Sequence, residues 1–442
     1  MAALAFLVLA TRLAWGGWSG HQVQRALAEA RRHGPSSAPA GNSDLPDSQN
    51  AYIMQKNAAA TLISMGIIKP PADEFSPLPG PPYQAAVIRK WRAAATLTLP
   101  ALCAVRASRA LPRSHVNRAT AEAASHPALR REPVCGEMAA LSAMLGLAAI
   151  SAHATAANPE ALECVADMIH LARTLRRDDR PGSQVMAMAI EAMACQCLQI
   201  IGPGLKEEDR QTGEPLLRRF IAQLLDEDEL RQRFAAALEH DREAMLAGIS
   251  STCGGDWMLR PLMDDLKLDL SRRIDLTRDL ALDPAKAGQG LPGAYTTGHV
   301  LNIVAELPVP GGTDYFDAAG FLGERFLETV AERRVTAVSL ACQLFRMRVG
   351  RWPAELAELS PGELVRIPGD PFGAGQRPIG YRVANSPDTS VRPVAIFLDA
   401  ENDGGVRPEP MYGWQDSRGI YLWRTRQYRD FGRPVPLVAN GR

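Results

Sequence analysis

The chain has 442 residues, 46% hydrophobic and 22% charged, with a formal net charge of zero. That length exceeds one ordinary core and predicts two or three domains of normal globular composition. The neutral balance argues against nucleic acid as main partner, since phosphate binding needs a basic face, and the Arg residues are scattered among acids rather than gathered for phosphate.

Residues 1–18 form an apolar run, Ala2 to Ala10 and then Leu13 to Trp18 around Arg12. They read as a signal anchor or as an N-terminal helix, the run being at the lower length limit for a membrane span. Residues 19–46 read as a flexible tether, because Gly34 to Ser43 is rich in Pro, Ser, Gly and Ala. A helical-hairpin array is expected over 47–250. Its first helix has Ser48 or Asn50 as cap and a stripe of Met54, Ala58, Leu62 and Met65. Prolines from Pro70 to Pro82 make an extended connector, and Pro100 is expected to break or kink the helix from Ala85 to Ala110.

Glu137 to Ala157 reads as a core helix. It lacks Asp, Lys and Arg beyond Glu137, but its Ala, Ser and Thr content would gain little from lipid. Asn158 and Pro159 signal a stop and restart. The next helix carries Leu162, Val165, Ile169 and Ala172 on one face, and Arg176 to Gly182 reads as a charged turn. Ser183 is the expected cap of a third helix through Ile190 and Leu198. A fourth is expected from Pro215 with Leu217, Phe220 and Leu224, and a fifth from Glu229 to Met245. Short loops between such helices imply antiparallel hairpins stacked in a TPR-like array. Residues 251–315 read as an irregular connector, with Asp264 to Asp279 as a mixed-charge helix within it and His299 to Leu307 as a short helix or strand.

Residues 316–442 are expected to form a small α+β head. Phe326, Val330, Ala337, Leu340, Leu344 and Met347 stripe one helix face, with Glu324, Arg325, Glu328, Glu332 and Arg333 on a charged face. Ser360 and Glu363 match a capping box. The strand candidates are Ile379 to Val383, Val394 to Leu398 and Ile420 to Trp423, giving a short antiparallel sheet.

Several motifs in this segment carry a resemblance. They are Gly350-Arg351-Trp352-Pro353, Leu356 with Leu359, Pro368 to Phe372 with its Asp370-Pro371, Tyr381, and the acidic Asp399 to Gly405 loop. In this order they resemble the globular head of type II secretion pseudopilins and type IV pilins. The helix before them is internal and charged in its first half, so the resemblance implies a head shape rather than filament assembly. The whole chain is similar to N-terminally anchored bacterial proteins that join a helical array to such a head.

The best candidate site is Asp399, Glu401, Asn402 and Asp403, followed by Gly404. Alternating oxygens before a Gly match the first half of an EF-hand loop. The twelfth loop position is Pro410 rather than Glu, and a solvated β-turn is the plainer reading. The resemblance implies calcium there, since some pseudopilin heads bind it in the corresponding loop. No other cofactor is expected: Gly288-Gln289-Gly290-Leu291-Pro292-Gly293 has no preceding strand and a Pro that breaks the helix a dinucleotide would need. Glu239-His240-Asp241-Arg242-Glu243 reads as a solvated face with local ion pairs. The seven cysteines stand singly and read as buried apolar residues.

These readings combine into an exported, membrane-anchored, non-catalytic scaffold in the cell envelope. Its bulk would lie outside the cytoplasm, with a protein or peptide partner in a helical groove. A hydrolase-like enzyme with a pocket between array and head is the alternative, as is a minor component of a type II secretion system.

Overall fold

The computed structural model describes residues 2–33, 46–65, 85–111, 133–178, 180–252, 260–283, 312–371, 377–383, 394–399 and 430–434. The fold is mainly helical. Its helices are α1 (Ala2–His33), α2 (Ala51–Ser64), α3 (Ala85–Ser108), α4 (Pro133–Ala154), α5 (Asn158–Arg176), α6 (Pro181–Ile201), α7 (Arg210–Leu225), α8 (Asp228–Thr252), α9 (Arg260–Leu282) and α10 (Gly312–Val349). A small antiparallel sheet follows, in the order β1 (Gly380–Val383), β2 (Val394–Asp399) and β3 (Asp430–Pro434). Gly380 faces Phe397 across the first pair, and Asp399 faces Asp430 across the second. The expected third strand, Ile420 to Trp423, lies outside the described residues, as does His299 to Leu307.

Two apolar cores divide the helices. The larger holds α2 to α7, the C-terminal half of α10 and the turn segment after it. Leu141, Leu145, Leu162, Met168, Leu198, Phe220, Val338 and Leu340 are at its centre. In α4 nearly every side chain from Met138 to Ile150 is buried, because α2, α3, α5 and α6 surround it. Glu137–Ala154 and Pro181–Gly204 are long and apolar enough to cross a membrane, and 67% of each is buried within the fold. The smaller core joins α1, α8, α9 and the first half of α10 through Val23, Leu27, Leu230, Phe234, Leu270, Ile274 and Phe326. The Phe234 and Phe326 rings stack with centroids 4.6 Å apart.

Several element boundaries correct the sequence expectation. The stretch 19–46 is not a tether throughout: α1 runs unbroken to His33, because Val23, Leu27 and Ala30 form a helical stripe buried on α8 and α9. Within 251–315, α9 is a full helix of 23 residues, so that stretch is not irregular throughout. Pro100 sits inside α3 without ending it. The left-handed residue after α4 is Ala156, with φ of 60°, and not Asn158. Asn158 is instead a polar bridge: its Oδ1 lies 2.8 Å from His153 Nδ1, and its Nδ2 donates to Asp209 at 2.9 Å. The same His153 ring fixes Gly204, where an added Cβ would stand 2.5 Å from the imidazole.

Arg176 belongs to α5 and is buried rather than part of a charged turn. Ser183 does not cap α6, which starts at Pro181; its hydroxyl donates to Asp178. Helix α7 begins at Arg210, ahead of Pro215. The Ser360–Glu363 segment is a turn, not a helix start, because the Glu363 carboxylate is taken by Arg348 Nε at 2.9 Å.

Helix α10 spans 38 residues and packs on α6, α7 and α9 as well as on β2. It ends where Gly350 takes φ of +79°, donating its N–H to Arg346 O at 2.8 Å. The chain then doubles back through the 3-10 turn Leu356–Leu359. The Tyr381 hydroxyl on β1 donates to Pro353 O at 2.7 Å, tying the sheet to the Trp352–Pro353 turn. The Arg346 guanidinium covers the Trp352 ring at 4.9 Å.

Candidate functional sites: ion-pair clusters and the first helix

The acidic loop is described only at its start. Asp399 closes β2, and Glu401, Asn402 and Asp403 lie outside the described residues, as does the Gly288–Gly293 stretch. Among the described residues, no group of three or more His, Cys, Asp or Glu side chains is placed to hold a metal.

The 239–243 stretch of α8 is not a solvated face. Glu239 and Arg242 are buried between α8 and α9. Arg242 Nη1 lies 3.1 Å from Glu239 and 2.9 Å from Asp275, and its Nε donates to Ser271 Oγ at 2.7 Å. Arg278 reaches the other Glu239 oxygen at 2.8 Å. The pairs are local as expected, but α9 covers them, and α9's partnership is not visible in the α8 sequence. Next to them, burial pushes the Asp241 carboxyl up to about 6.

A second network sits where the two cores meet. Glu191 of α6 accepts from Arg176 of α5 and, at 2.6 Å, from Arg333 of α10. All three are nearly inaccessible. Burial disfavours the Glu191 anion, yet the two guanidiniums hold its pKa below the usual carboxylate value. Arg333 also donates to the carbonyls of Gln223, Leu224 and Asp226, at 2.7, 2.9 and 2.6 Å. It thereby satisfies the exposed C-terminal carbonyls of α7. Glu332 and Arg333, expected on a charged outer face, are therefore buried. Next to it, Glu227 accepts from Arg231 and Arg334, both at 2.6 Å. Arg231 continues to Ala281 O at 2.7 Å and Arg334 to Gly369 O at 2.8 Å. One turn between α7 and α8 thus links α9, α10 and the segment leading to the sheet.

The third cluster joins α3 to α5. Asp167 is fully buried between Arg106 and Arg109, each with a nitrogen 3.1 Å away. Glu160 and Glu163 pair with the same arginines. Burial outweighs both guanidiniums and pushes Asp167 up to about 6. One turn on, burial and the cations Arg109, Arg177 and Arg173 push His170 down to about 4. Gln55 stitches this region to α2, donating to Ser108 Oγ at 3.1 Å and Thr174 Oγ1 at 3.2 Å. The spacing Glu160, Cys164, Asp167 is readable in the sequence; the arginines opposite it, more than fifty residues earlier, are not.

Thiol chemistry is quiet here. Cys164, Cys195, Cys197 and Cys342 are buried free thiols, as expected, whereas Cys103 is exposed. Burial pushes the Cys164 thiol up to about 12 and also raises Cys195, Cys197 and Cys342 well above the ordinary thiol value.

The first helix offers a different kind of site. From Ser19 onward α1 alternates buried and exposed positions, but Ala14, Trp15, Gly17 and Trp18 are all exposed, Trp18 at 56%. An aromatic pair at the end of an apolar run, on a helix rooted in the body, matches the composition of a membrane–water boundary.

No family model, curated protein or solved structure matches this chain.

Proposed function

We propose that the protein is a membrane-anchored, non-catalytic scaffold, held by its first helix and offering its helical body to a protein or peptide partner. One observation carries this reading. The apolar residues Ala2 to Ala10 and the side chains Val23, Leu27 and Ala30, buried in the small core, belong to one unbroken 32-residue helix. Such a helix is about 48 Å long, enough to cross a bilayer core and still root in the body. The anchor is thus a rigid stem.

The ionic clusters support a scaffold. Their buried members join helices: Glu191, Glu227, Glu239 and Asp167 each hold cations from other elements. The outer side of α3 is the open edge for a partner, with Leu97 and Leu99 exposed at 60% and 53%. The reading places the bulk of the chain outside the cytoplasm; free cysteines are commoner in reducing compartments and count against that placement, although Cys164, Cys195, Cys197 and Cys342 are buried away from oxidants. The order of turn, short helical turn and Tyr-bearing strand after α10 supports a pilin-like head as a second docking unit. The Asp399–Asp403 loop enters the proposal as its calcium site; a chelator that leaves the melting curve unchanged would remove it.

The test is membrane fractionation of the full chain. The protein should stay in the pellet through an alkaline wash, and Leu7→Arg with Leu9→Arg should release it in folded form. Recovery of the unaltered chain in the soluble fraction would contradict the anchor.

A further inference from the structure

We propose that the outward face of α1 just beyond its apolar stretch, formed by Trp18, His21 and Arg25, binds anionic lipid headgroups. The proposal rests on the anchor reading and assigns the stem a lipid preference. On a helix of 3.6 residues per turn, positions 18, 21, 25, 28 and 32 fall on one side. All five are exposed. The opposite side carries Ser19, Val23, Leu27 and Ala30, all buried. The body therefore covers one face of α1 and leaves an aromatic and cationic stripe on the other.

Charge and height select the occupant. Glu29, the acid on this helix, is exposed one turn above Arg25 and about 40° round the axis from it, farther from the bilayer than the arginine. Arg31 is on another side and pairs with Glu243 at 3.3 Å. If residues 2–18 cross the hydrocarbon, they cover about 25 Å and bring Trp18 to its edge, where an indole with a buried ring and a wet N–H is favoured. The Arg25 backbone then stands about 10 Å above Trp18, just outside the headgroup layer, where its long side chain can reach down to the phosphates and lies within about one Debye length of an anionic surface. Arg32 stands about 20 Å above and is screened. A guanidinium at headgroup height prefers lipid phosphates with net negative charge, for which it can make paired hydrogen bonds.

Flotation of the full chain with two vesicle types tests this: phosphatidylcholine alone, and phosphatidylcholine mixed with phosphatidylglycerol. Binding to the mixed vesicles should be about fivefold tighter at low salt, with the difference lost at high salt. Arg25→Gln should abolish the difference while leaving binding to neutral vesicles intact. Trp18→Ala should weaken binding to both, and Arg32→Gln should behave as the parent. Unaltered melting curves would show that these exposed substitutions leave the fold intact. Equal binding of the parent to both vesicles, or Arg25→Gln keeping the preference, would overturn the belt while sparing the anchor. Failure to float with either vesicle would overturn the anchor and the belt together.

Discussion

The two halves of α10 live in different proteins, physically speaking. From Val335 to Phe345 every residue is buried, walled by α6, α7 and the returning turn after Gly350. From Leu322 to Val330 the same helix packs on α8 and α9, in a core that among the described residues holds about a third as many buried apolar side chains. The large core is filled mainly by Leu, Ala, Ile and Met. The small one depends on the Phe234–Phe326 stack and on the Glu239–Arg242–Asp275–Arg278 network. Between them lies the Glu191 triad. A rod that crosses from a thick core to a thin one makes the thin side the softer one, and that is the side holding the stem.

Substitutions can break this contrast. The largest effect is expected at the junction. Glu191→Gln leaves Arg176 and Arg333 as buried cations without a counter-charge and should cost about 3–5 kcal/mol, read as a shift in urea midpoint. Phe326→Ala removes the stack with Phe234 in the small core and should cost about 3 kcal/mol, with part of the loss absorbed by collapse of the thin layer. If it also exposes α1 to proteolysis while α4 to α6 stay protected, the two cores are separately cooperative.

Asp241→Asn sharpens the contrast in the opposite direction. Burial raises the carboxyl to about 6 from an ordinary 3.8, so its favourable contribution exists below pH 4 and is lost as pH rises through about 6. At pH 7.5 the ionised form destabilises the small core. The Asn variant should be more stable there by about 2 kcal/mol, and indistinguishable from the parent below pH 4.

The smallest effect belongs to the large core. His170 titrates near 4 in the fold against an ordinary 6.5. Its neutrality therefore stabilises above pH 6.5, and that contribution fades as pH falls toward 4. His170→Gln should lose less stability between pH 7 and 5 than the parent, by about 1 kcal/mol after solvent screening. Thermal melts across that range give the sign directly.

Much of the helical layout was legible. The stripes Leu162–Val165–Ile169–Ala172 and Phe326–Val330–Ala337–Leu340 predicted faces that are buried, because apolar spacing and burial share one geometric cause. Gly350 as a helix stop was equally readable. Other features depended on distant partners. Gly16, Gly17, Ser19 and Gly20 weaken a helix locally, and only the docking of Val23, Leu27 and Ala30 on α8 and α9 carries α1 through them. Glu332 and Arg333 looked like a surface pair, since no local pattern reveals that a carboxylate 142 positions earlier awaits the guanidinium. The stop and restart at Asn158 and Pro159 was readable, since α4 ends at Ala154 and α5 starts at Asn158 with Pro159 in its first turn, but the Asn158 amide's partners, His153 and Asp209, were not. The candidate calcium residues rest on their spacing in the sequence and on the resemblance, because Asp399 is the one described member of that loop.

Hydrogen exchange of the backbone amides from Ser19 to His33, measured on the full chain in lipid, tests the rigid stem most directly. Slow exchange through this stretch, rising together with that of α8 and α9 when Phe326 is replaced by Ala, is the expected result. Exchange as fast as an unstructured peptide, with α8 and α9 still protected, would show a tether in place of a stem.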